Sequence, residues 1–161
     1  MDTSVSLRTG AAASLFLLCG CFGTSNLNQL LEAKPNGTAF QQAQFKDYAY
    51  LAHSFGDAPS GGASVLADAY AGRALIAASA VDVAPADAVT PDEQALRTRL
   101  IRALRDGRSR LPDDAARAQA DYDCWVLNAG APGASAAARS CRNSLAATLP
   151  EFEAEIGPSG G

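Results

Sequence analysis

Two cysteines, Cys124 and Cys141, stand equidistant from a turn signal at 130–134, and that symmetry constrains the fold more than any other feature of the chain. In an antiparallel helical hairpin, residues equidistant from the turn sit at the same height, because each helix rises about 1.5 Å per residue. Cys124 shares a helical face with Ala116, Ala120 and Leu127, and Cys141 shares one with Leu145, Leu149, Phe152 and Ile156. Both thiols are therefore expected to point into one helix–helix interface. In an oxidising compartment such a pair forms a disulfide, which over a loop of this length stabilises a fold by roughly 3 kcal/mol. The alternative is a pair of reduced, buried thiols.

The opposite end of the chain bears on location. A single basic residue, Arg8, precedes an apolar run over 10–18 that ends in Leu18-Cys19-Gly20-Cys21. The run is too short to span a bilayer, which takes about 20 apolar residues, and its order is that of an export signal. Cys21 has Leu18 at minus three and Gly20 at minus one, whereas Cys19 follows the bulky Leu17 and Leu18, so Cys21 is the expected acceptor of lipid. It would carry a diacylglycerol on its thiol and a third acyl chain on the new amino terminus. With roughly 0.8 kcal/mol per buried methylene, those chains make a lasting anchor. The alternative is an ordinary secretory signal cut near Gly23. Phe22, rather than Asp, follows the acceptor, which favours the outer membrane and its periplasmic side.

The expected organisation is thus a signal peptide over 1–20, a lipidated tether over 21–37, one helical domain over 38–156 and a disordered tail over 157–161. Losing Asp2 and Arg8 with the signal leaves 12 basic against 16 acidic residues, still net −4. That balance argues against nucleic acid, which needs a basic surface. Alanine is abundant from Ala63 onward and β-branched residues are sparse, a composition that favours helix. The expected fold is all-α, a small bundle of about five helices stacked as hairpins and held by one disulfide.

The helices are legible from their punctuation. NLNQLLEAK within the tether reads as a helical turn, and Pro35-Asn36-Gly37 as a turn. Over 38–55, Phe40, Phe45, Tyr48, Leu51, Ala52 and Phe55 fall on one side of a helical wheel. A loop over 56–62 precedes a second helix over 63–80, whose Leu66, Tyr70, Ala74 and Ala77 share a face. Thr90-Pro91-Asp92-Glu93 starts a third helix with a capping Thr, a Pro at the first position and a Glu able to reach back. Leu96, Leu100, Ala103, Leu104 and Leu111 line its apolar side. Pro112 separates it from a fourth helix over 113–128, and the 129–134 turn leads to a fifth over 135–156.

The stretch Ala115-Ala116-Arg117-Ala118-Gln119-Ala120-Asp121-Tyr122-Asp123-Cys124-Trp125, followed by Cys141-Arg142 and Leu149-Pro150-Glu151-Phe152-Glu153, resembles the helical N-terminal region of alphaproteobacterial OmpA-family lipoproteins. Phe45-Lys46 to Leu51, Ala67-Asp68-Ala69 with Arg73-Ala74-Leu75, and Val89 to Asp92 match it more loosely. Members of that family typically add a C-terminal α/β domain that grips peptidoglycan. No such segment is found here, so the resemblance implies an envelope lipoprotein with a helical module and no reaction.

No catalytic constellation emerges. His53 is the lone histidine and lies off the apolar stripe of its helix, as a surface residue does. No GxSxG, HExxH, phosphate-loop or dinucleotide pattern is present. Asp113-Asp114 suit a helix start, and Asp121 and Asp123 lack calcium-loop spacing, so no metal and no cofactor are expected beyond the acyl chains on Cys21. The surface with a functional hint is the Arg-rich side of the third helix: Arg97, Arg99, Arg102, Arg105, Arg108 and Arg110. Guanidinium pairs bidentately with phosphate and carboxylate, so this side could meet lipid headgroups or an acidic protein. The alternative is a solvated face neutralised by the domain's own acids. Trp125 is either an exposed aromatic anchor for a partner or packed against a neighbouring helix.

The sequence therefore predicts a non-catalytic outer-membrane lipoprotein, anchored through Cys21 and facing the periplasm. Its role would be structural or that of an adaptor for an envelope protein partner. The rival reading is a module that holds a lipid or glycan between helices. An enzyme is the weakest reading.

Overall fold

The computed structural model describes residues 26–57 and 61–157, among which helices are the only regular elements. They are α1 (Asn26–Leu30), α2 (Ala39–Gly56), α3 (Gly61–Ala78), α4 (Pro91–Gly107), α5 (Pro112–Ala129) and α6 (Ser135–Ile156). The expected signal peptide over 1–20, the expected lipid acceptor Cys21 and the expected tail beyond Gly157 lie outside the described residues. Four helices match those read from the sequence within two residues at each end, and α1 is the helical turn inside the expected tether; α4 starts as expected but ends at Gly107, so Leu111, read as part of its apolar side, instead precedes α5. Residues of the expected tether pack on the helices that follow. Leu30 is buried among the apolar residues of α2 and α3, and Asn26 is hydrogen bonded to Asp68 of α3.

Local chemistry accounts for the helix starts. Thr38 and Thr90 each accept a hydrogen bond from the backbone N–H three residues on, while Gln41 and Glu93 reach back to the backbone N–H of their cap. Both form capping boxes, which satisfy donors that a helix leaves unpaired. Glu93 goes further, accepting from the Val89 N–H as well at 2.7 Å. Thr90→Ala should cost about 1 kcal/mol, read as a fall in the urea midpoint at unchanged slope.

The helices pair as two hairpins. α2 lies against α3, with α1 beside them, and α5 lies against α6, with α4 covering one side. α5 also packs on α2, which makes it the centre of the molecule. One apolar core gathers Leu100, Leu104, Tyr122, Leu145, Leu149 and Phe152 between α4, α5 and α6. The second gathers Tyr48, Leu66, Tyr70 and a run of alanines between α2 and α3. Close approach needs small residues: a Cβ on Gly107 would meet the Phe152 ring at 2.6 Å.

α3 and α4 are joined by residues 79–90, which follow neither helix nor strand. The strap leaves α3 through a Schellman turn, with Val81 N–H bonded to Ile76 O and Ala80 N–H to Ala77 O. Ala80 occupies the left-handed position of that turn (φ 59°), where glycine is usual. Val83 and Ala86 then sink into the two cores.

Candidate functional site

A strap with no helical ladder, buried at Val83 and Ala86, must find partners elsewhere for the backbone groups it turns inward. Side chains from four helices supply them to the strap. Gln41 of α2 donates to Ala80 O at 3.1 Å, and Gln119 of α5 donates to Val83 O at 2.7 Å, joined there by Gln44. Arg73 of α3 donates to Ala84 O, and Arg97 of α4 to Pro85 O and Ala86 O. The Ala86 N–H donates to Oδ1 of Asp123 at 2.6 Å.

Asp123 is the hub of this network. Its side chain is fully buried, and its Oδ2 accepts from Arg73 at 2.9 Å and from the Tyr48 hydroxyl. Gln119 donates to the same hydroxyl, and the Arg73 guanidinium lies over the Tyr48 ring, 5.8 Å from its centre. Burial pushes the Asp123 carboxyl above the ordinary carboxylate range, opposed by the Arg73 charge and by the hydrogen bonds from Ala86 and Tyr48. Burial, with the neighbouring carboxylate, drives the Tyr48 phenol well up. The cluster is buried and its donors are engaged with one another, so it holds α2, α3, α5 and the strap in one arrangement.

Cys124 and Cys141 are joined in a disulfide, with Cα atoms 5.6 Å apart, as the symmetric placement about the turn required. The residues following them also meet. The Arg142 guanidinium stacks 5.3 Å from the centre of the Trp125 ring and pairs with Asp92 at 2.6 Å, tying the hairpin to the first turn of α4. Trp125 is therefore no exposed anchor: it is 8% exposed and meets Tyr122 edge-on at 6.1 Å. It belongs to the packed interior, not to the Arg-rich surface.

That surface is largely spent inside the molecule. Arg97 is held by the strap carbonyls and Asp87, Arg99 pairs with Glu153 of α6, Arg108 pairs with Asp82 of the strap, and Arg110 reaches Ile156 O. Among the described residues Arg102 and Arg105 make no ion pair, and both are exposed. Arg105 stands beside a surface cleft of about 340 Å³, where Phe40, Val83, Ile101 and Leu104 meet at the junction of α2, the strap and α4. Sequence reasoning left these arginines between a partner surface and a solvated face neutralised by the domain's own acids, and Asp87, Glu153 and Asp82 are such acids. It had no means of finding their partners, which lie 10 to 54 residues away.

His53 is exposed on α2, and Asp113 and Asp114 are exposed in the first turn of α5. Asp121 accepts from Ser144 and Thr148 of α6. Among the described residues no group of three or more His, Cys, Asp or Glu side chains is placed to hold a metal ion. The Asp123 hub was missed: the sequence weighed Asp123 only as a calcium-loop residue, and its partners lie 37 to 75 residues away. No protein-family model, curated protein or solved structure matches the chain.

Proposed function

We propose that this chain is a non-catalytic lipoprotein of the outer membrane, anchored through Cys21, whose helical domain faces the periplasm and serves a structural or adaptor role. The observation that carries the reading is Leu18-Cys19-Gly20-Cys21, a lipid-attachment pattern five residues ahead of a domain that begins at Asn26. The disulfide supports it, since such bonds persist in oxidising compartments such as the bacterial periplasm. The resemblance to the helical region of OmpA-family lipoproteins points the same way. No helix among the described residues is long and apolar enough to cross a membrane.

The interaction surface narrows to Arg102 and Arg105, the guanidiniums of α4 left for an acidic partner. Photo-crosslinkers at these two positions in living cells should trap one reproducible envelope protein; trapping none would remove the adaptor role. Cys21→Ser should abolish acyl labelling and release the protein from membranes into the soluble fraction. Persistent labelling of that variant would overturn the assignment of Cys21. A second reading, a lipid- or glycan-binding module, draws support from the cleft beside Arg105, which lies at the small end of ligand-sized cavities.

A further inference from the structure

α3 is apolar on both sides, which is unusual for a helix at the surface of a bundle. Its inner side carries the buried Leu66, Tyr70, Ala71, Ala74 and Ala77. Its outer side presents Val65, Ala69, Gly72 and Ile76, four residues at helical spacing, with Val65 70% and Ile76 45% exposed. From Val65 to Ala78 the helix has two charged residues, Asp68 and Arg73, and both are engaged, by Asn26 and by Asp123 with the strap. The charges at the edge of the outer side, Asp68 and Arg73, are thus held by partners within the molecule, and Val65, Ala69, Gly72 and Ile76 form an uncharged stripe between them.

Asn26 identifies what covers it. This residue lies on that side of α3: its backbone N–H donates to Asp68 Oδ1 at 2.7 Å, its amide donates to Asp68 Oδ2 at 3.0 Å, and a Cβ on Gly72 would meet that amide at 3.2 Å. Asn26, Val65, Gly72 and Ile76 line one shallow depression, with Asp68, Arg73 and Asp82 at its edge. Cys21 is five residues upstream, and a fully extended chain of that length spans at most about 18 Å. Wherever Cys21 is inserted, Asn26, and with it the part of α3 around Asp68 and Gly72, is held within about that distance of the lipid.

We infer that the Val65–Ala69–Gly72–Ile76 face of α3 rests on the membrane surface that holds the Cys21 acyl chains, so that the domain lies on the bilayer in one orientation. The inference rests on the proposal that Cys21 is lipidated. A short tether turns a weak contact into an occupied one, because it keeps the local concentration of the second surface high. The two aliphatic side chains enter the interfacial layer, and the small residues between them let the helix axis approach closely. α6, which packs on α4 and α5 rather than on α3, is turned away from the lipid.

The experiment uses the full-length protein purified from membranes and reconstituted in vesicles of phosphatidylethanolamine and phosphatidylglycerol. An environment-sensitive fluorophore is attached at Val65→Cys or Ile76→Cys and, for comparison, at Arg139→Cys or Ala147→Cys on exposed positions of α6. Mass spectrometry first reads the acyl chains on Cys21. With acylation present, nitroxides placed shallowly in the lipid should quench Val65 and Ile76 at least several-fold more than the α6 positions, and aqueous iodide should do the reverse. Equal quenching at all four positions on acylated protein overturns the orientation and leaves the lipoprotein reading standing. Absence of acyl chains overturns both. Protection of Val65 and Ile76 from iodide without lipid quenching, and dependent on protein concentration, would assign the face to a second copy of the chain and also overturn the inference.

Discussion

Asp123→Ala should destabilise the domain by about 3–5 kcal/mol, the loss expected when one partner of a buried ion pair is removed and the other is left uncompensated. Arg73, the Tyr48 hydroxyl and the Ala86 N–H would all lose their acceptor at once. Equilibrium urea denaturation measures the loss. Asp123→Asn keeps an acceptor for the Ala86 N–H and the shape of the site, so its loss should be smaller. A double-mutant cycle with Arg73→Met isolates the share of the ion pair. If Asp123→Ala lowers stability by less than about 1 kcal/mol, the hydrogen bonds from Gln41, Gln119 and Arg97 hold the strap without the hub.

Reducing the Cys124–Cys141 bond, or replacing both residues by serine, should lower stability by about 3 kcal/mol, because the bond closes a loop 17 residues apart in sequence and restricts the unfolded chain. For a domain of this size the corresponding fall in Tm is on the order of 10 °C. Scanning calorimetry with and without reductant reads it, with thiol titration confirming that the bond has opened. The effect should be confined to the α5–α6 side of the molecule, so protection against amide exchange should fall first around Leu145 and Leu149 and last in α2 and α3. An unchanged Tm with titratable thiols would mean that the hairpin's packing alone holds the two helices together.

Helix identity was legible because this chain punctuates itself clearly. Thr90-Pro91-Asp92-Glu93, Pro112 and the 130–134 turn mark boundaries by local chemistry, and the cysteine pair converts one boundary into a tertiary contact. What could not be read was which helix each face would meet. Amphipathic spacing locates the inner side of α2 but does not say that Tyr48 would find Asp123, 75 residues on. The strap illustrates the limit most clearly. Its residues carry neither periodicity nor turn chemistry, and their conformation is set by donors on four helices. The Arg-rich side of α4 was read correctly as a composition and incompletely as a surface, since three of its arginines serve strap carbonyls, Asp82 and Glu153. Trp125 was left between two fates by its helical wheel, and the stacking of Arg142 on its ring decides the matter.

The polar seam between the two cores has a further consequence, for uniqueness rather than strength. The disulfide fixes the register of α5 against α6, but alanine offers nearly the same surface at every turn, so the alanine-lined contact of α5 with α2 distinguishes poorly between one register and the next. Sliding α5 by a single turn would carry the Asp123 carboxylate about 5.4 Å from Arg73, Tyr48 and Ala86, leaving a charge buried without a partner. Gln119 and Asn128 would be displaced with it, away from Val83 O and the Tyr70 hydroxyl. In a molecule whose apolar surfaces are so nearly repetitive, these few polar atoms act as the index marks that select one packing from a ladder of near-equals.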